Sequence, residues 1–123
     1  MNEFDSGFWR RVSRRWNDDP DRRSLGGLGA CEFRVIDRAV QPTRVSWDAD
    51  GLARVAPDEE PHTILSATHQ AWRSFIAGEF TATRGMLTQR IRVEGEPVRL
   101  LPYTKAFNRL AAVARSVIAG DEF

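Results

Sequence analysis

Two histidines and one aspartate at a strand end are the residues of this sequence that could bind a metal or move a proton. His62 opens a predicted strand and His69 the helix after it, and their spacing matches no known pattern of metal ligands. Asp37 follows another predicted strand and could act as a general base if apolar walls raised its pKa. Aspartate at such a position more often forms a turn. We therefore predict no metal site and no catalytic residue.

Motifs that bind phosphate or carry a nucleophile are also missing from the sequence. The glycine-rich segment 25–29 lacks the lysine of a phosphate-binding loop and has no strand before it. No serine is framed by the residues of a nucleophile elbow. The sequence thus predicts a protein that is not an enzyme and that uses no cofactor.

The composition is typical of one small globular domain. A chain of 123 residues can bury its own core without metal or disulfide help, so we expect residues 1–123 to form a single domain. The formal net charge of +1 gives no overall field of the kind that nucleic-acid-binding proteins have, and no nucleic-acid partner is expected. The single cysteine cannot form an intrachain disulfide, and neither a signal peptide nor a membrane span is evident. A cytoplasmic location is expected.

The segment 63–95 concentrates large apolar side chains, partly outside regular structure. A helix is predicted from the N-cap Thr68 to Gly78, and Trp72, Phe75 and Ile76 share one of its faces. Further apolar residues follow in a run that glycine and threonines interrupt. Ordinary core packing explains such residues in most proteins, but the excess also suits an adaptable apolar binding site.

The remaining elements follow from hydrophobic periodicity. An amphipathic helix is predicted over 6–17 with Ser6 as its N-cap, and a terminal helix over 97–119. Alternating residues predict five strands, and Asp50-Gly51 predicts a hairpin between the second and the third. The strands are expected over 30–37, 43–48, 52–56, 62–67 and 90–94. On the first, Glu32 is expected on the solvent face. This order of elements favours an α+β fold with helices on one face of a single sheet.

In order and spacing, these elements resemble the sterol carrier protein 2 family of small lipid-binding domains. The family pattern includes a first strand of the form F-x-V-x-D, a D-G hairpin, an aromatic helix ending in A-G-E, a short apolar helix and a strand that closes on glycine. The matching segments here are 33–37, Asp50-Gly51, 72–79, Met86-Leu87 and 90–95. The resemblance spans about 28–118, so the family core is expected over 28–119, behind the lead helix 6–17.

The resemblance implies a five-stranded, mainly antiparallel sheet in the order 3-2-1-4-5, with an apolar cavity between sheet and helices. It implies non-enzymatic binding and carriage of a fatty acid, acyl-CoA, sterol or isoprenoid-like lipid. The residues expected around the lipid are large and apolar, apart from one threonine near the head group. They are Trp72, Phe75, Phe80, Met86, Leu87, Thr88, Leu101 and Phe107.

Two other functions stay open at this point. The domain could be an interaction or regulatory module that presents lipid to a partner enzyme. It could also be a small enzyme that moves a proton on a lipid-like substrate, with Asp37 or His62 inside the cavity. The expected partners are an apolar small molecule and, through Lys105, Arg109 and Arg115, transient contact with anionic membrane. The sequence leaves the oligomeric state undetermined.

Overall fold

The structure is a computed structural model that describes residues 4–20, 22, 29–95 and 104–120. Four helices and five strands are found in this part of the chain. They are α1 (Ser6–Asn17), β1 (Ala30–Val35), β2 (Thr43–Trp47), β3 (Ala53–Val55), β4 (Thr63–Ala67), α2 (His69–Ile76), α3 (Ala82–Leu87), β5 (Arg92–Gly95) and α4 (Thr104–Gly120). The first seven residues predicted for the terminal helix, 97–103, lie outside the described residues.

The strands form one mixed sheet in the order β3-β2-β1-β4-β5. β1 pairs antiparallel with β2 and parallel with β4, while the outer pairs β2–β3 and β4–β5 are antiparallel. This confirms the predicted strand order and the mainly antiparallel α+β fold. The observed strands are one or two residues shorter than predicted, and β5 is shifted, since it spans Arg92–Gly95 rather than 90–94.

Alternation along the strands decides which residues enter the core. Phe33, Val45, Trp47 and Leu65 come from three central strands and are all buried. Successive side chains of a strand point to opposite faces, so these residues mark the face that the helices cover. They join the apolar sides of α1, α2 and α4 in one hydrophobic cluster.

The hairpin between β2 and β3 forms where Asp50-Gly51 predicted it. Gly51 has a φ of 78°, a left-handed conformation that glycine adopts without steric cost. The carboxylate of Asp48 fixes the turn because its Oδ1 accepts hydrogen bonds from the amides of Asp50 and Leu52, both at 2.9 Å.

Helix α1 is held against this hairpin by its last turn. The Trp16 indole donates to the carbonyl of Gly51 at 2.7 Å. The Asn17 amide exchanges two hydrogen bonds with the backbone of Ala53, at 2.7 and 2.9 Å, on edge strand β3. The N-cap of α1 is Asp5 and not the predicted Ser6, because the Asp5 carboxylate accepts from the Phe8 amide at 2.9 Å.

Candidate functional site

The helices and the sheet meet around an interior gap whose lining is aliphatic or aromatic throughout. Helices α1, α2, α3 and α4 all contribute to it, as do strands β1 and β4 and the residue before β5. The lining residues are Trp9, Phe33, Leu65, Trp72, Phe75, Ile76, Ala82, Met86, Ile91, Phe107, Leu110, Ala111 and Ala114.

Aromatic rings occupy much of this interior. Trp9 of α1 stacks on Phe33 of β1, with centroids 4.2 Å apart and planes 15° apart. Trp72 meets Phe33 edge-on at 5.9 Å, and Phe75 meets Trp72 at 6.3 Å. The Trp72 indole donates to the carbonyl of Arg34 at 2.8 Å, so its one polar atom is satisfied at the sheet. The interior therefore has a dry wall of large rings.

The free volume left between these rings is small. A water-sized sphere has about 20 Å³ available there. A single water needs at least about 10–15 Å³ by that measure, whereas ligand pockets usually have about 300–1,000 Å³. The sequence-based expectation of a ready-made cavity is thus not confirmed, because the rings of Trp9 and Phe33 fill the space above the sheet. A lipid chain can enter only if the surrounding elements separate.

Four of the eight residues predicted to surround a lipid do line the gap: Trp72, Phe75, Met86 and Phe107. Their role in binding stays a prediction.

The other four residues lie elsewhere. Phe80 is buried behind Phe75, with ring centroids 5.8 Å apart. Leu87 is 79% exposed, so its predicted interior position is wrong: Ala82 and Gly85 form the buried side of α3, and Leu87 faces solvent. Thr88 is also exposed, and its hydroxyl donates to the carbonyl of Arg84 at 2.8 Å. Leu101 lies outside the described residues.

Sequence reasoning missed the contributions of α1 and of the sheet to this interior. Trp9, Phe33, Leu65 and Ile91 line it although none of them was singled out. The signal was present, since Trp9 lies on the apolar face of α1 and the other three on inward positions of predicted strands. Periodicity gives the buried face of an element, but not the element that it meets.

Helix α3 approaches the interior closely because Gly85 has no side chain. A Cβ at this position would lie 2.7 Å from Cε2 of Phe80 and 3.1 Å from Cδ1 of Ile91. The helix begins at the N-cap Thr81, and the side chain of Asn108 accepts from the Ala82 amide at 2.8 Å. The Ile91 amide donates to the carbonyl of Gly85 at 3.1 Å. These bonds attach α3 to α4 and to the start of β5.

The solvent face of the sheet carries a buried charge, which corrects the exposed position expected for Glu32. Glu32 is only 4% exposed because Arg34 and Arg44, its neighbours on β1 and β2, donate to its two carboxylate oxygens. Burial alone would raise the pKa of Glu32, but the two arginines outweigh it, and the pKa lies below its usual value. On the opposite face, burial raises the pKa of the Cys31 thiol to about 12.

The residues considered for catalysis lie outside the interior. Asp37 and His62 are both exposed. The Asp37 carboxylate accepts from the amide of His69, at 2.8 Å, at the start of α2. This position contradicts the hypothesis that Asp37 or His62 moves a proton inside the cavity. Among the described residues, no cluster of histidine, cysteine and carboxylate side chains could hold a metal ion.

Two of the three cations considered for membrane contact have partners within the protein. Arg109 donates to the carboxylate of Asp19 at 2.7 Å, and Arg115 donates to the carbonyl of Ile76, at the end of α2, at 2.7 Å. Lys105 is exposed. No helix in the part of the chain that the structure describes is both long and apolar enough to cross a bilayer. Membrane contact stays a prediction.

A mixed five-stranded sheet in this order, with helices on one face and an apolar interior between them, defines a layered α+β fold. Comparison with solved structures identifies the fold as that of sterol carrier protein 2. A crystal structure of sterol carrier protein 2 superposes with a TM-score of 0.75 at 16% identity, over 93% of this chain and 98% of that chain. A conserved hypothetical protein of Thermus thermophilus, whose name suggests a sterol carrier protein, gives 0.74 at 18% identity, over 95% and 90%.

A palmitated sterol carrier protein from Aedes aegypti is a more distant match, with a TM-score of 0.54 at 13% identity over 86% of this chain and 95% of that chain. No family model and no curated protein sequence matches this chain. At these identities the likeness shows the fold alone, and it confirms the fold that the sequence resemblance implied.

Proposed function

We propose that this protein binds the apolar chain of a lipid between its sheet and its helices and carries it without chemical change. The observation that carries this proposal is the uninterrupted apolar lining of the interior gap, to which four helices and two strands contribute. A second support is the fold, since the Aedes aegypti protein that shares it is palmitated. A cytoplasmic location and transient contact with anionic membrane are parts of the same proposal.

The energetics allow such binding but limit its strength. Burying a chain of about 16 carbons gains roughly 12 kcal/mol at about 0.8 kcal/mol per methylene. A Kd of about 1 μM corresponds to about 8.2 kcal/mol. The difference, about 4 kcal/mol, is the most that the association of lipid and protein and the separation of the interior rings can cost together if the Kd is to stay at or below about 1 μM. Because association alone costs at least about 4 kcal/mol, we expect a Kd of about 1 μM or higher, which means micromolar or weaker binding.

The direct test uses purified protein from which lipid has been extracted. We expect a fluorescent fatty acid to gain intensity on titration and palmitate to displace it. We also expect organic extraction of freshly purified protein, followed by mass spectrometry, to release a lipid in detectable but less than stoichiometric amount, because a ligand with a micromolar Kd is partly lost during purification. Failure of the delipidated protein to take up any fatty-acid or sterol probe would overturn the proposal.

The nearly filled interior favours one second candidate, an interaction module that acts on a partner enzyme. A free volume of about 20 Å³ is what a domain without a guest of its own would have. Such a module would show no probe uptake and would retain a stable protein partner in a pull-down with the folded domain. Probe uptake that saturates at one molecule per chain would exclude a module without a ligand.

A further inference from the structure

Two side chains separate the apolar interior from an open groove on the protein surface. Met86 and Ile91 line the interior gap, and they also line a surface groove of about 350 Å³. Ile91 is fixed, because its amide donates to Gly85 and its side chain is buried. Met86 is only partly buried, and a methionine side chain changes rotamer easily. A small movement of Met86 therefore connects the interior with this groove.

Two polar side chains also line this groove. Gln89, Arg92 and Val93 complete its lining. Gln89 and Arg92 also line a second, more polar groove of about 430 Å³ that runs along α2 and includes Arg90 and Glu79. The two grooves, which share Gln89 and Arg92, are thus lined by two guanidinium groups and one carboxylate, and the shared residues lie in the groove that Met86 and Ile91 also line.

Arg92 lies on edge strand β5, where its pairing with Ser66 places its side chain on the solvent face of the sheet. Within residues 4–20, 22, 29–95 and 104–120, no carboxylate forms an ion pair with Arg92, whereas Arg34, Arg44 and Arg109 each have a carboxylate partner. Arg90 has a different role, since its guanidinium lies over the Phe80 ring at 5.2 Å. Arginine presents a planar set of donors that suits carboxylate and phosphate oxygens.

We infer that Arg92, with the side-chain amide of Gln89, binds the anionic head group of a single-chain lipid whose apolar chain passes Met86 into the interior. The inference rests on the proposed function and narrows its ligand class, because it selects an ionised fatty acid over an uncharged sterol. The head group stays in the solvated groove, so its charge is never transferred to the apolar interior, where an unpaired ion is very unfavourable.

The test measures the binding of two ligands of equal chain length to the wild-type protein, to one variant and to a control variant. Arg92→Gln removes the charge, and Arg54→Gln removes a similarly exposed charge on β3, at the other edge of the sheet, where Arg54 pairs with Glu59 at 3.4 Å. Binding of palmitate and of hexadecan-1-ol, both delivered from cyclodextrin, is measured by displacement of a fluorescent probe. Thermal unfolding of both variants checks that the fold is intact.

We expect Arg92→Gln to weaken palmitate binding roughly fivefold to tenfold and to leave hexadecan-1-ol binding unchanged, because only the ionised ligand forms a charge-assisted hydrogen bond. Arg54→Gln should change neither. Palmitate affinity should also fall with added salt, while the affinity for the alcohol should not.

Four outcomes would overturn the inference. An equal loss for both ligands would mean that Arg92 only supports the structure, and no loss for palmitate would mean that it does not contact the head group. Inorganic phosphate that displaces palmitate at equal concentration would show a general anion site, not a lipid head-group site. If the wild-type protein binds neither ligand, the proposed function fails and the inference fails with it. If it binds both ligands and Arg92→Gln does not weaken palmitate binding more than hexadecan-1-ol binding, only the inference fails.

Discussion

Replacing Phe107 with alanine should make the protein less stable and a better binder of apolar chains. Phe107 projects from α4 into the interior gap and is 4% exposed. Loss of the ring removes about 2 kcal/mol of transfer free energy. It also leaves a cavity on the order of 100 Å³, which at about 24 cal/mol per Å³ costs a further 2.4 kcal/mol. The expected loss in the free energy of unfolding is about 4 kcal/mol.

A loss of this size should lower the unfolding midpoint by about 15 °C, since about 4 °C per kcal/mol is typical for a chain of this length. The protein should remain folded at room temperature, because natural domains have about 5–15 kcal/mol of stability. Circular dichroism during heating gives the midpoint, and titration with a fluorescent fatty acid gives the Kd.

The affinity should rise because the wild-type interior has to expand before a chain can enter, and the variant interior, with part of the space already open, has to expand less. Each 1.4 kcal/mol of avoided expansion tightens binding tenfold, and we expect roughly that factor after loss of the ring's own contact with the guest. Val117→Ala is the matched control: Val117 is buried on the same helix but does not line the gap. It should lower the unfolding midpoint and leave the Kd unchanged.

The reasoning is refuted if Phe107→Ala lowers the midpoint as expected but binds the probe no better than the wild-type protein. Expansion of the interior would then not limit binding. A midpoint that hardly moves would show instead that the ring is not packed in the core.

Three further predictions concern stability and reactivity. Glu32→Gln should lower the free energy of unfolding by about 2 kcal/mol at pH 7, less than the roughly 3–5 kcal/mol lost when a fully buried pair is broken, because the two arginine partners are partly exposed. Since the folded-state pKa of Glu32 is lowered, the difference in stability from the wild-type protein should disappear as the pH falls below about 4.5. As a control, Glu59→Gln, which breaks an exposed ion pair, should cost under about 1 kcal/mol in the same denaturant titrations. Gly85→Ala should lower the free energy of unfolding by about 1–3 kcal/mol, because the added methyl group would press against Phe80 and Ile91. Thr83→Ala, on the exposed side of the same helix, should not destabilise the protein. Equal unfolding midpoints for the two variants would show that Gly85 does not pack closely against these side chains. The Cys31 thiol, whose pKa is raised to about 12 by burial, should not react with iodoacetamide at pH 8 until the protein is unfolded in urea. Mass spectrometry measures the labelling, and rapid labelling of the native protein would show that the thiol is not buried.

Local signals explain why much of the fold could be predicted from the sequence. Helix α2 begins after Thr68 and ends before Gly78, as its cap residues predicted, because these residues satisfy backbone groups of the helix itself. The hairpin at Gly51 also depends on only a few neighbouring residues. The strand order came from the resemblance and not from any local pattern, since pairing between β1 and β4 joins residues far apart in the chain.

The candidate site was harder to predict because it depends on contacts between elements. The buried position of Glu32 requires Arg44 on the next strand, and no pattern along β1 alone indicates this pairing. The filled interior depends on the stacking of Trp9, on α1, against Phe33, on β1, and the periodicity of neither element alone indicates this contact. Leu87 looked like a core residue by type, but the short helix that carries it turns it toward solvent.

The bonds between elements indicate which side of the interior can separate to admit a chain. On the α1 side, the Trp16 indole and the Asn17 amide bind backbone groups of the β2–β3 hairpin, so moving α1 would break three hydrogen bonds at once. On the α3 side, two hydrogen bonds hold the short helix in the described part of the chain: Asn108 of α4 accepts from the Ala82 amide, and the Ile91 amide donates to the carbonyl of Gly85. Separation on the α3 side breaks fewer bonds and displaces the wall that Met86 forms. If a lipid chain enters from the Arg92 groove, expansion of the interior and access to it would fall on the same side of the molecule, and one movement of α3 would serve both.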